Sequence, residues 1–430
     1  MRALRLVLAA LSIHLVVACG ESVPPLRPDG GDGGSADGGE GDGGVPPPAW
    51  PQALATLPGA SEPTLTRAPD GTLTLTFVRD GKLWLQRPAL GGTPVELGAA
   101  SGFQLEVFAA THPTEDRLFV VWGDGHAVIV TDGIPEGPAF RPFLNQFGNG
   151  ASPRGAGWLR HRPVVFGQTG ETWVGSEVYP AEGFAFAVPI DFPQYLPLPE
   201  PHPEGVLDPF WNGYHYYEEA FLPHDLGNGE LLVFFPHARN TAADPTGSPT
   251  LARWRYLHPD TSQTAARSFY LVGTGGEFEL PEPGAAWIQL WKLDGDRWAL
   301  TWGSSTTSLV FDVHIAPVTL DENGAPVLGS TYYNVSSTPG MTQNSDHAIV
   351  RPVGDGRVWL AWRETGYGPR AALLDAQLRP TAIYAPAVDF PCNLSSSMGA
   401  QVDADGALHL VAGLLPADQL EVRYWRLELP

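Results

Sequence analysis

The segment from 181 to 222 concentrates the side chains that are best suited to recognise a ligand. It holds seven prolines before a run of aromatic residues. Phe210, Trp211 and Tyr214 could stack on sugar rings or on apolar peptide groups, because an aromatic ring offers a large, flat apolar face. A Pro-rich, irregular segment is typical of an insertion between regular elements. The sequence predicts that this insertion forms either one wall of a binding cleft or a flap that covers the scaffold.

The same region contains residue types that bind divalent metals. His215 and Glu219 are four residues apart, a spacing that places both on one face of a helix, and His224 follows. On a strand, His215 and Glu219 would also share a face, but His224 would lie well beyond them. We therefore predict no metal site, and we regard all three as candidate ligand-binding residues.

Asp346 and His347, next to Ser345, have the residue types of a catalytic triad. Adjacent residues of a strand point to opposite faces, so these three cannot act together locally. Asp346 and His347 are instead candidate ligand-binding residues. The local signatures of hydrolases, metallopeptidases, nucleotide-binding proteins and redox proteins are absent from the sequence. We therefore expect no cofactor and favour a binding module over an enzyme.

The N-terminal residues are organised as an export signal. Arg2 and Arg5 precede an apolar run of twelve residues, 6–17, which is shorter than the about 20 residues that a membrane span needs. The run ends in Val16-Val17-Ala18-Cys19, which resembles the lipobox of bacterial lipoproteins. That resemblance implies a signal peptide over residues 1–18, cleavage before Cys19, a diacylglycerol thioether on its sulfur and acylation of the new N-terminus.

The lipobox resemblance also implies a cellular location. Acylated Cys19 would anchor the chain in a lipid bilayer of the bacterial cell envelope, and several acyl chains hold a protein firmly. Gly20 is not the aspartate that resembles an inner-membrane retention signal, which implies the outer membrane, facing either the periplasm or the surface. The alternative is ordinary secretion with an incidental cysteine.

Residues 19–48 are dominated by Gly, Asp and Pro. They contain too little apolar surface to offset the entropy of ordering a backbone, so they are predicted to form a disordered tether with a reach of about 30 Å. The chain has a formal net charge of −22, which opposes binding to nucleic acid. Cys392 is the only cysteine after Cys19, so no disulfide can form within the folded part.

Residues 49–430 contain many short apolar runs separated by turns, without a long helical period. In seven places a turn, usually with Asp-Gly or Asn-Gly, leads into an apolar run that ends near an aromatic residue. The seven runs begin at Thr72, Arg117, Arg162, Glu230, Arg297, Arg357 and Ala407. Six of them carry an aromatic residue in a similar position, namely Phe77, Trp122, Phe166, Phe235, Trp302 and Trp362.

Further strand-like runs follow each repeat, and four antiparallel strands per unit form a propeller blade. The units recur about every 40 to 65 residues, which is typical of propellers. The sequence therefore predicts an all-β fold, a seven-bladed β-propeller of four-stranded antiparallel blades, in which a strand at 52–58 completes the last blade. A six-bladed propeller and two β-sandwiches are alternatives that the same strand signals allow.

In a propeller, the strand before each of these turns is the innermost and lines a central channel. The predicted innermost strands carry the polar residues Arg67, His112, Arg160, Glu219, His224, Gln289, Asp346, His347, Arg351 and Gln401. Such a polar funnel could bind a small ligand, or its groups could be hydrated or paired with one another.

These observations predict an envelope-anchored extracytoplasmic lipoprotein whose propeller is a noncatalytic binding or scaffold module for an envelope protein or a glycan. The alternative is an extracytoplasmic glycan-active hydrolase or lyase whose catalytic residues converge at the mouth of the channel.

Overall fold

The computed structural model describes residues 49–100, 106–123, 125–139, 152–159, 162–174, 177–189, 223–226, 231–238, 249–259, 271–279, 286–307, 310–336, 345–364, 367–386, 397–416 and 419–430. For most of the described residues that fall within 152–287, 304–311 and 345–347, only the backbone is described. Within these ranges the regular structure consists of antiparallel strands. None of the described residues belongs to a helix with the length and apolar character of a membrane span.

The described strands form seven antiparallel sheets. Sheet 1 contains β2 (Ala60–Arg67), β3 (Leu73–Arg79), β4 (Lys82–Gln86) and β5 (Val95–Ala99). Sheet 2 contains β6 (Val107–Thr111), β7 (Arg117–Trp122), β8 (His126–Thr131) and β9 (Ile134–Pro135). Sheet 3 contains β10 (Ser152–Leu159), β11 (Arg162–Val174) and β12 (Glu177–Pro189).

The later sheets repeat this order. Sheet 4 contains β13 (Pro223–Asp225), β14 (Leu231–Ala238), β15 (Pro249–Pro259) and β16 (Leu271–Glu279). Sheet 5 contains β17 (Ala286–Lys292), β18 (Trp298–Thr307), β19 (Val310–Leu320), β20 (Pro326–Leu328) and β21 (Tyr333–Asn334). Sheet 6 contains β22 (Ser345–Pro352), β23 (Val358–Glu364), β24 (Gly368–Leu374) and β25 (Pro380–Tyr384). Sheet 7 contains β26 (Met398–Val402), β27 (Leu408–Leu414), β28 (Glu421–Leu427) and β1 (Ala55–Pro58).

Successive sheets contact each other mostly through their innermost strands; sheets 4 and 5 contact through β14 and β17. β2 contacts β6, β6 contacts β10, and β10 contacts β13. On the other side of the ring, β22 contacts β17 and β26, and β26 contacts β2. This cyclic order is that of a β-propeller and differs from two stacked sandwiches.

The ring is closed by a strand from the N-terminal side of the fold. β1 pairs with β28, with Ala55 opposite Tyr424 and Pro58 opposite Glu421. This is the closing strand that was predicted over 52–58. Because β1 supplies the outer strand of sheet 7, the pairing covers an edge that would otherwise be free.

The turns that precede the second strands have a common local cause. The Asp70 carboxylate accepts a hydrogen bond from the Thr72 amide (2.8 Å), and the Asp355 carboxylate accepts one from the Arg357 amide (3.0 Å). The glycine after each aspartate has a positive φ, +88° at Gly71 and +91° at Gly356, which glycine adopts without a steric penalty. Asp-Gly therefore reverses the chain at these positions.

The second strands lie in the interior of the ring of sheets. All seven predicted runs correspond to second strands, namely β3, β7, β11, β14, β18, β23 and β27. Every residue of β23 and of β27 is buried, because each sheet packs between two neighbours and both of its faces are covered. Their sequences are therefore apolar throughout and do not alternate with polar residues.

The repeated aromatic residue fills the space between neighbouring sheets. Trp122 packs in a cluster between sheets 1 and 2, Trp302 between sheets 4 and 5, and Trp362 between sheets 5 and 6. Phe77 packs between sheets 7 and 1. All four side chains are buried. The hydrophobic core is thus a series of clusters between sheets.

The outer edge of sheet 5 differs from the prediction. The sequence predicts a single strand over 325–333, whereas two short strands, β20 and β21, both pair with β19. The Pro317 carbonyl of β19 accepts from the Gly329 amide (2.8 Å), so the nitrogen of Pro317 faces the same edge. Proline has no N–H to donate, and the ladder is therefore interrupted at this position.

We predict that Gly399→Ala destabilises the ring where sheet 7 meets sheet 1. A Cβ atom on Gly399 would lie 2.5 Å from the backbone nitrogen of Leu65 in β2, so one of the two innermost strands must move. The expected loss in unfolding free energy is about 2–3 kcal/mol, measured by chemical denaturation.

Gly81→Ala is the matched control. Gly81 has φ +69° but nothing within 4 Å of an added Cβ atom, so only conformational strain of about 1 kcal/mol is expected. Equal losses for the two variants would contradict a close approach of β26 and β2.

Candidate functional site

The order of strands gives the propeller two distinct faces. We call the end at which the innermost strands begin the upper face, and the end at which the Asp-Gly turns lie the lower face. Glu62 near the start of β2, Glu106 just before β6 and Ser397 just before β26 lie towards the upper face. Arg351 near the end of β22 lies towards the lower face.

His224 bonds one sheet to the next. Its Nε2 lies 2.6 Å from the Leu290 carbonyl of β17, and its ring makes an edge contact with Trp298 at 5.2 Å between centroids. A carbonyl only accepts hydrogen bonds, so Nε2 is the donor. Burial lowers the pKa of His224 to about 4, and the nearby charges of Lys292 and Arg351 act in the same direction. The imidazole is therefore neutral at pH 7 and links sheet 4 to sheet 5.

Arg351 joins three sheets. Its Nε donates to the Ala400 carbonyl of β26 (2.9 Å), and its guanidinium lies 5.4 Å from the ring centroid of Trp291 in sheet 5. Burial lowers the pKa of Arg351 to about 10, so the group still carries its charge at pH 7. A buried guanidinium needs hydrogen-bond acceptors or an aromatic face, and Arg351 has both.

Two further polar side chains connect sheet 7 to sheet 1. Gln401 Nε2 donates to the Leu65 carbonyl (3.1 Å), and Ser397 Oγ donates to the Pro63 carbonyl (3.3 Å). Their acceptors are backbone carbonyls of β2. Together with the bonds from His224 and Arg351, they show that polar residues of the innermost strands hold neighbouring sheets together.

His112 has a more local role. Its Nδ1 accepts from the Glu115 amide (3.0 Å), and its ring makes an edge contact with Trp158 of sheet 3 at 4.9 Å between centroids. The Trp158 indole N–H donates to the Ala110 carbonyl of β6 (2.8 Å). His112 therefore supports a turn of sheet 2 and packs against sheet 3.

The other predicted site residues are described in part or lie outside the described residues. Asp346 and His347 belong to β22, where Asp346 pairs with Arg363 of β23 before a register shift, and their side chains are not among those described. The remaining predicted ligand contacts and the lipidation site lie outside the described residues: Phe210, Trp211, Tyr214, His215, Glu219 and Cys19.

The structure describes the beginning of the predicted insertion over 181–222. Residues 181–189 form the second half of β12 and pair with β11, with Ala185 opposite Gln168 and Val188 opposite Val165. Phe184, Phe186 and Val188 alternate with small residues, as expected for a strand. Residues 190–222 lie outside the described residues.

Glu62 is not among the predicted site residues, although its carboxyl group lies towards the upper face in unusual surroundings. Glu62 lies in an irregularity of β2 between Ser61 and Thr64, with φ +48°. Burial raises the pKa of Glu62 to about 7; the Glu106 charge acts in the same direction, and Ser397 and Arg363 oppose it. A carboxyl group with this pKa can hold or release a proton near neutral pH.

No local motif marks Glu62. An acidic residue directly before a proline is typical of a turn, and Ser61-Glu62-Pro63 gives no other signal. Burial in the assembled fold is the main cause of its raised pKa, and the groups that modify this pKa lie in three other sheets, so the sequence alone does not reveal it.

A pair of buried charges lies on the upper side of sheet 6. Arg370 Nε donates to the Glu364 carboxylate (2.8 Å), and both side chains are at most 10% exposed. Glu364 ends β23 next to Arg363, which is itself buried. The upper ends of β23 and β24 thus present charges that the fold keeps away from bulk water.

A polar network below sheet 7 has the residue types of a proton relay. His409 Nε2 donates to the Asp403 carboxylate (3.0 Å), and Nδ1 lies 2.8 Å from the Tyr424 hydroxyl. Arg426 donates to the same carboxylate through Nε (3.0 Å). Tyr424 is only 2% exposed, so a substrate has no access to its hydroxyl. The network therefore ties the turn before β27 to β28.

Among the described residues, no three His, Cys, Asp or Glu side chains come together as a metal site. His215 and Glu219, the pair with metal-ligand spacing, lie outside that set.

No protein-family model matches this chain, and no curated protein matches it. Among solved structures, it is similar to a protein of unknown function from Dyadobacter fermentans, with 12% identity over 88% of this chain and 99% of that chain and a TM-score of 0.44. It is also similar to the β-propeller domain of Cps50 (Swd1) from Myceliophteria thermophila, with 11% identity, coverage of 86% and 99%, and a TM-score of 0.46. A third is virginiamycin B lyase from Staphylococcus aureus, with 12% identity, coverage of 86% and 98%, and a TM-score of 0.42. At sequence identities this low, the similarity is one of fold and not of function.

We predict that Asp403→Asn destabilises the protein in a pH-dependent way. Burial alone would raise the pKa of Asp403, but hydrogen bonds from His409 and Arg426 lower it to about 2. A lowered carboxyl pKa stabilises the fold above the unfolded pKa, and this contribution disappears as pH falls towards 2. The expected loss is about 2 kcal/mol at pH 7, shrinking between pH 4 and pH 2 in denaturation curves.

Asp405→Asn provides the comparison. The Asp405 side chain is 84% exposed and lies 3.5 Å from Arg426, so a loss below about 0.5 kcal/mol is expected. If Asp403→Asn behaved in the same way as Asp405→Asn, the network would not hold the turn.

Proposed function

We propose that this chain is an envelope-anchored extracytoplasmic lipoprotein whose propeller is a noncatalytic binding or scaffold module for an envelope protein or a glycan. The observation that carries the noncatalytic role is the use of polar groups in the innermost strands. His224, Arg351 and Gln401 each bond to a backbone carbonyl of the next sheet. Groups that hold the ring together in this way are not free to act on a substrate.

A rigid ring of this kind is suited to presenting loops. In the proposal, the aromatic residues Phe210, Trp211 and Tyr214 contact the ligand, and His215 and Glu219 add polar contacts. Aromatic rings suit a glycan as well as apolar peptide groups, because both offer flat apolar faces. Asp346 and His347 complete the candidate contacts, as residues of the innermost strand of sheet 6.

The lipobox supports the proposed location. Residues 1–18 would be removed, acylated Cys19 would enter the bilayer, and residues 19–48 would separate it from the propeller. A chain with a net charge of −22 gains little from anionic lipid headgroups, so the acyl chains must supply the membrane affinity. The outer membrane is the proposed site, with the propeller in the periplasm or at the surface.

A second candidate function is that of a glycan-active hydrolase or lyase. The specific observation in its favour is Glu62, whose carboxyl pKa is about 7 and which lies near the Glu106 charge on the upper face. A carboxyl group whose pKa lies near neutral can act as a general acid or base.

We predict that Cys19 carries the membrane anchor. In cells that express the full chain, the wild type should fractionate with the envelope, and mass spectrometry of its N-terminal peptide should show acyl chains on Cys19. Cys19→Ser should lose both properties. Cys392→Ser is the control and should keep them, because it removes the other cysteine. An unmodified Cys19 in an envelope-free protein would indicate ordinary secretion.

We predict that the aromatic segment binds the ligand. On glycan arrays and in pull-downs from envelope extracts, Trp211→Ala and Tyr214→Ala in the full chain should each weaken binding by about tenfold or more, as for aromatic residues at the centre of an interface. Tyr332→Ala is the control, since Tyr332 is an exposed tyrosine directly before β21.

Two results would contradict this prediction. Equal binding by all variants would remove the aromatic segment from the interface. Turnover of a glycoside or an ester that is lost in Glu62→Gln would favour the hydrolase or lyase over the binding module.

A further inference from the structure

A cavity of about 240 Å³ lies on the lower face, between sheet 1 and sheet 2. One wall belongs to the loop over 87–94, which connects β4 to β5, and the other to the turn Asp132-Gly133, which connects β8 to β9. Pockets for drug-sized ligands measure about 300–1,000 Å³, so this cavity has room for a smaller group, the size of a single ring.

The loop over 87–94 is held in place by its own contacts. Gln86 Nε2 donates to the Ala89 carbonyl (2.8 Å), and the Ala89 amide donates to the Leu73 carbonyl of β3 (2.8 Å). Within the loop, an added Cβ atom on Gly92 would lie 2.4 Å from the Arg87 carbonyl oxygen. This wall of the cavity is therefore already formed before a ligand arrives, which lowers the entropic cost of binding.

The opposite wall is a two-residue hairpin turn. Asp132 and Gly133 have φ of +51° and +79°, as in turns of type I′, for which Asp-Gly is a preferred sequence. The Asp132 amide donates to the Asp116 carbonyl (3.1 Å), which joins this turn to the turn before β7. The backbone that carries the Asp132 carboxylate is thus fixed at the cavity.

Arg87 connects the two walls. Its Nη1 donates to the Asp116 carboxylate of sheet 2, and its Nη2 donates to the Asp70 carboxylate of sheet 1 (3.4 Å). The Arg87 side chain is only 15% exposed. A guanidinium has five N–H donors, so these two bonds orient Arg87 and leave it donors for a further acceptor in the cavity.

The charges at the cavity restrict the class of ligand. Arg87 repels a cation, and Asp132 repels an anion. A neutral ligand with neighbouring hydroxyl groups is repelled by neither, because each hydroxyl can accept a bond from the guanidinium and donate one to the carboxylate. Leu85, Pro88 and Val95 give the cavity an aliphatic side, which suits the C–H face of a sugar ring.

We propose that this cavity is a carbohydrate subsite that binds one neutral sugar ring of a glycan. Arg87 donates to a sugar hydroxyl, Asp132 accepts from a neighbouring one, and the Thr93 hydroxyl, which also lines the cavity, bonds to a third. Leu85 and Val95 pack against the C–H face of the ring. The inference goes beyond the function proposed above, because it uses none of the residues of the aromatic segment.

Titration of the full chain with simple glycosides tests the subsite. The probes are the methyl glycosides of glucose, galactose, mannose and N-acetylglucosamine, added to protein in a detergent that contains no sugar. At least one should show saturation transfer by NMR. On its binding, amides over 87–95 and 131–135 should gain protection from hydrogen exchange, whereas amides of β23 and β24 in sheet 6 should not.

Two variants should weaken binding. Asp132→Asn replaces a charged acceptor by a neutral one and should raise the dissociation constant about tenfold. Thr93→Val removes a hydroxyl at nearly constant shape and should raise it about fivefold. Thr93→Val also keeps the test informative if Asp132→Asn fails to fold.

Asp80→Asn is the matched control for Asp132→Asn. Asp80 and Gly81 form the same kind of hairpin turn, with φ of +54° and +69°, but at the upper end of sheet 1. Asparagine tolerates positive φ as aspartate does, so both variants keep their turns. Asp80→Asn should bind the glycoside as the wild type does.

Trp211→Ala separates this subsite from the aromatic segment. Glycoside binding that persists in Trp211→Ala and is weakened in Asp132→Asn supports the subsite. The reverse pattern overturns it and leaves the aromatic segment as the glycan site.

Three other results would overturn the inference. The first is that none of the four glycosides binds. The second is equal binding by the wild type, Asp132→Asn and Thr93→Val. The third is protection over 87–95 by inorganic phosphate or by putrescine instead of the glycosides, which would indicate an anion site or a cation site.

Discussion

The pairing of β1 with β28 is the constraint on which the rest of this fold depends. Each sheet buries both of its faces only if it has a neighbour on each side, as the fully buried strands β23 and β27 show. An open ring would expose the face of sheet 1 that holds Phe77 and the face of sheet 7 that holds Tyr424. Closure therefore buries the last two apolar faces and covers the outer edge of β28 in one step.

Closure also explains the chemistry of the innermost strands. Where seven sheets converge, polar side chains lose contact with bulk water, and a buried polar group is costly unless it is hydrogen-bonded. His224, Arg351 and Gln401 meet this requirement by bonding to backbone carbonyls of the next sheet. These residue types could take part in catalysis, but here they hold neighbouring sheets together. This use favours ligand recognition by loops outside the innermost strands.

Features of the structure that have a local cause could be predicted from the sequence, and features that depend on distant residues could not. The second strands could be predicted because Asp-Gly turns and apolar runs act within about ten residues. The division of the predicted strand over 325–333 could not, because it depends on Pro317 in the neighbouring strand. Glu62 could not be predicted, because its pKa is raised mainly by burial in the assembled fold, and Ser397, Glu106 and Arg363 modify it from three other sheets. The polar innermost residues were predicted as a set, but spacing along the chain cannot distinguish a bond to the next sheet from a contact to a ligand.

The position of the closing strand connects the fold to the proposed anchor. β1 begins at Ala55, soon after the predicted tether over 19–48, and Glu62 follows four residues after its last residue, Pro58. In the proposed arrangement, a pull on the acylated Cys19 reaches the propeller first at sheet 7, where Trp50 packs against Trp425 at 5.8 Å between ring centroids and β1 pairs with β28. Because the chain continues from β1 through Gly59 into β2, the same segment joins sheet 7 to sheet 1. A load on the anchor therefore falls on the contacts that close the ring before it reaches the other sheets.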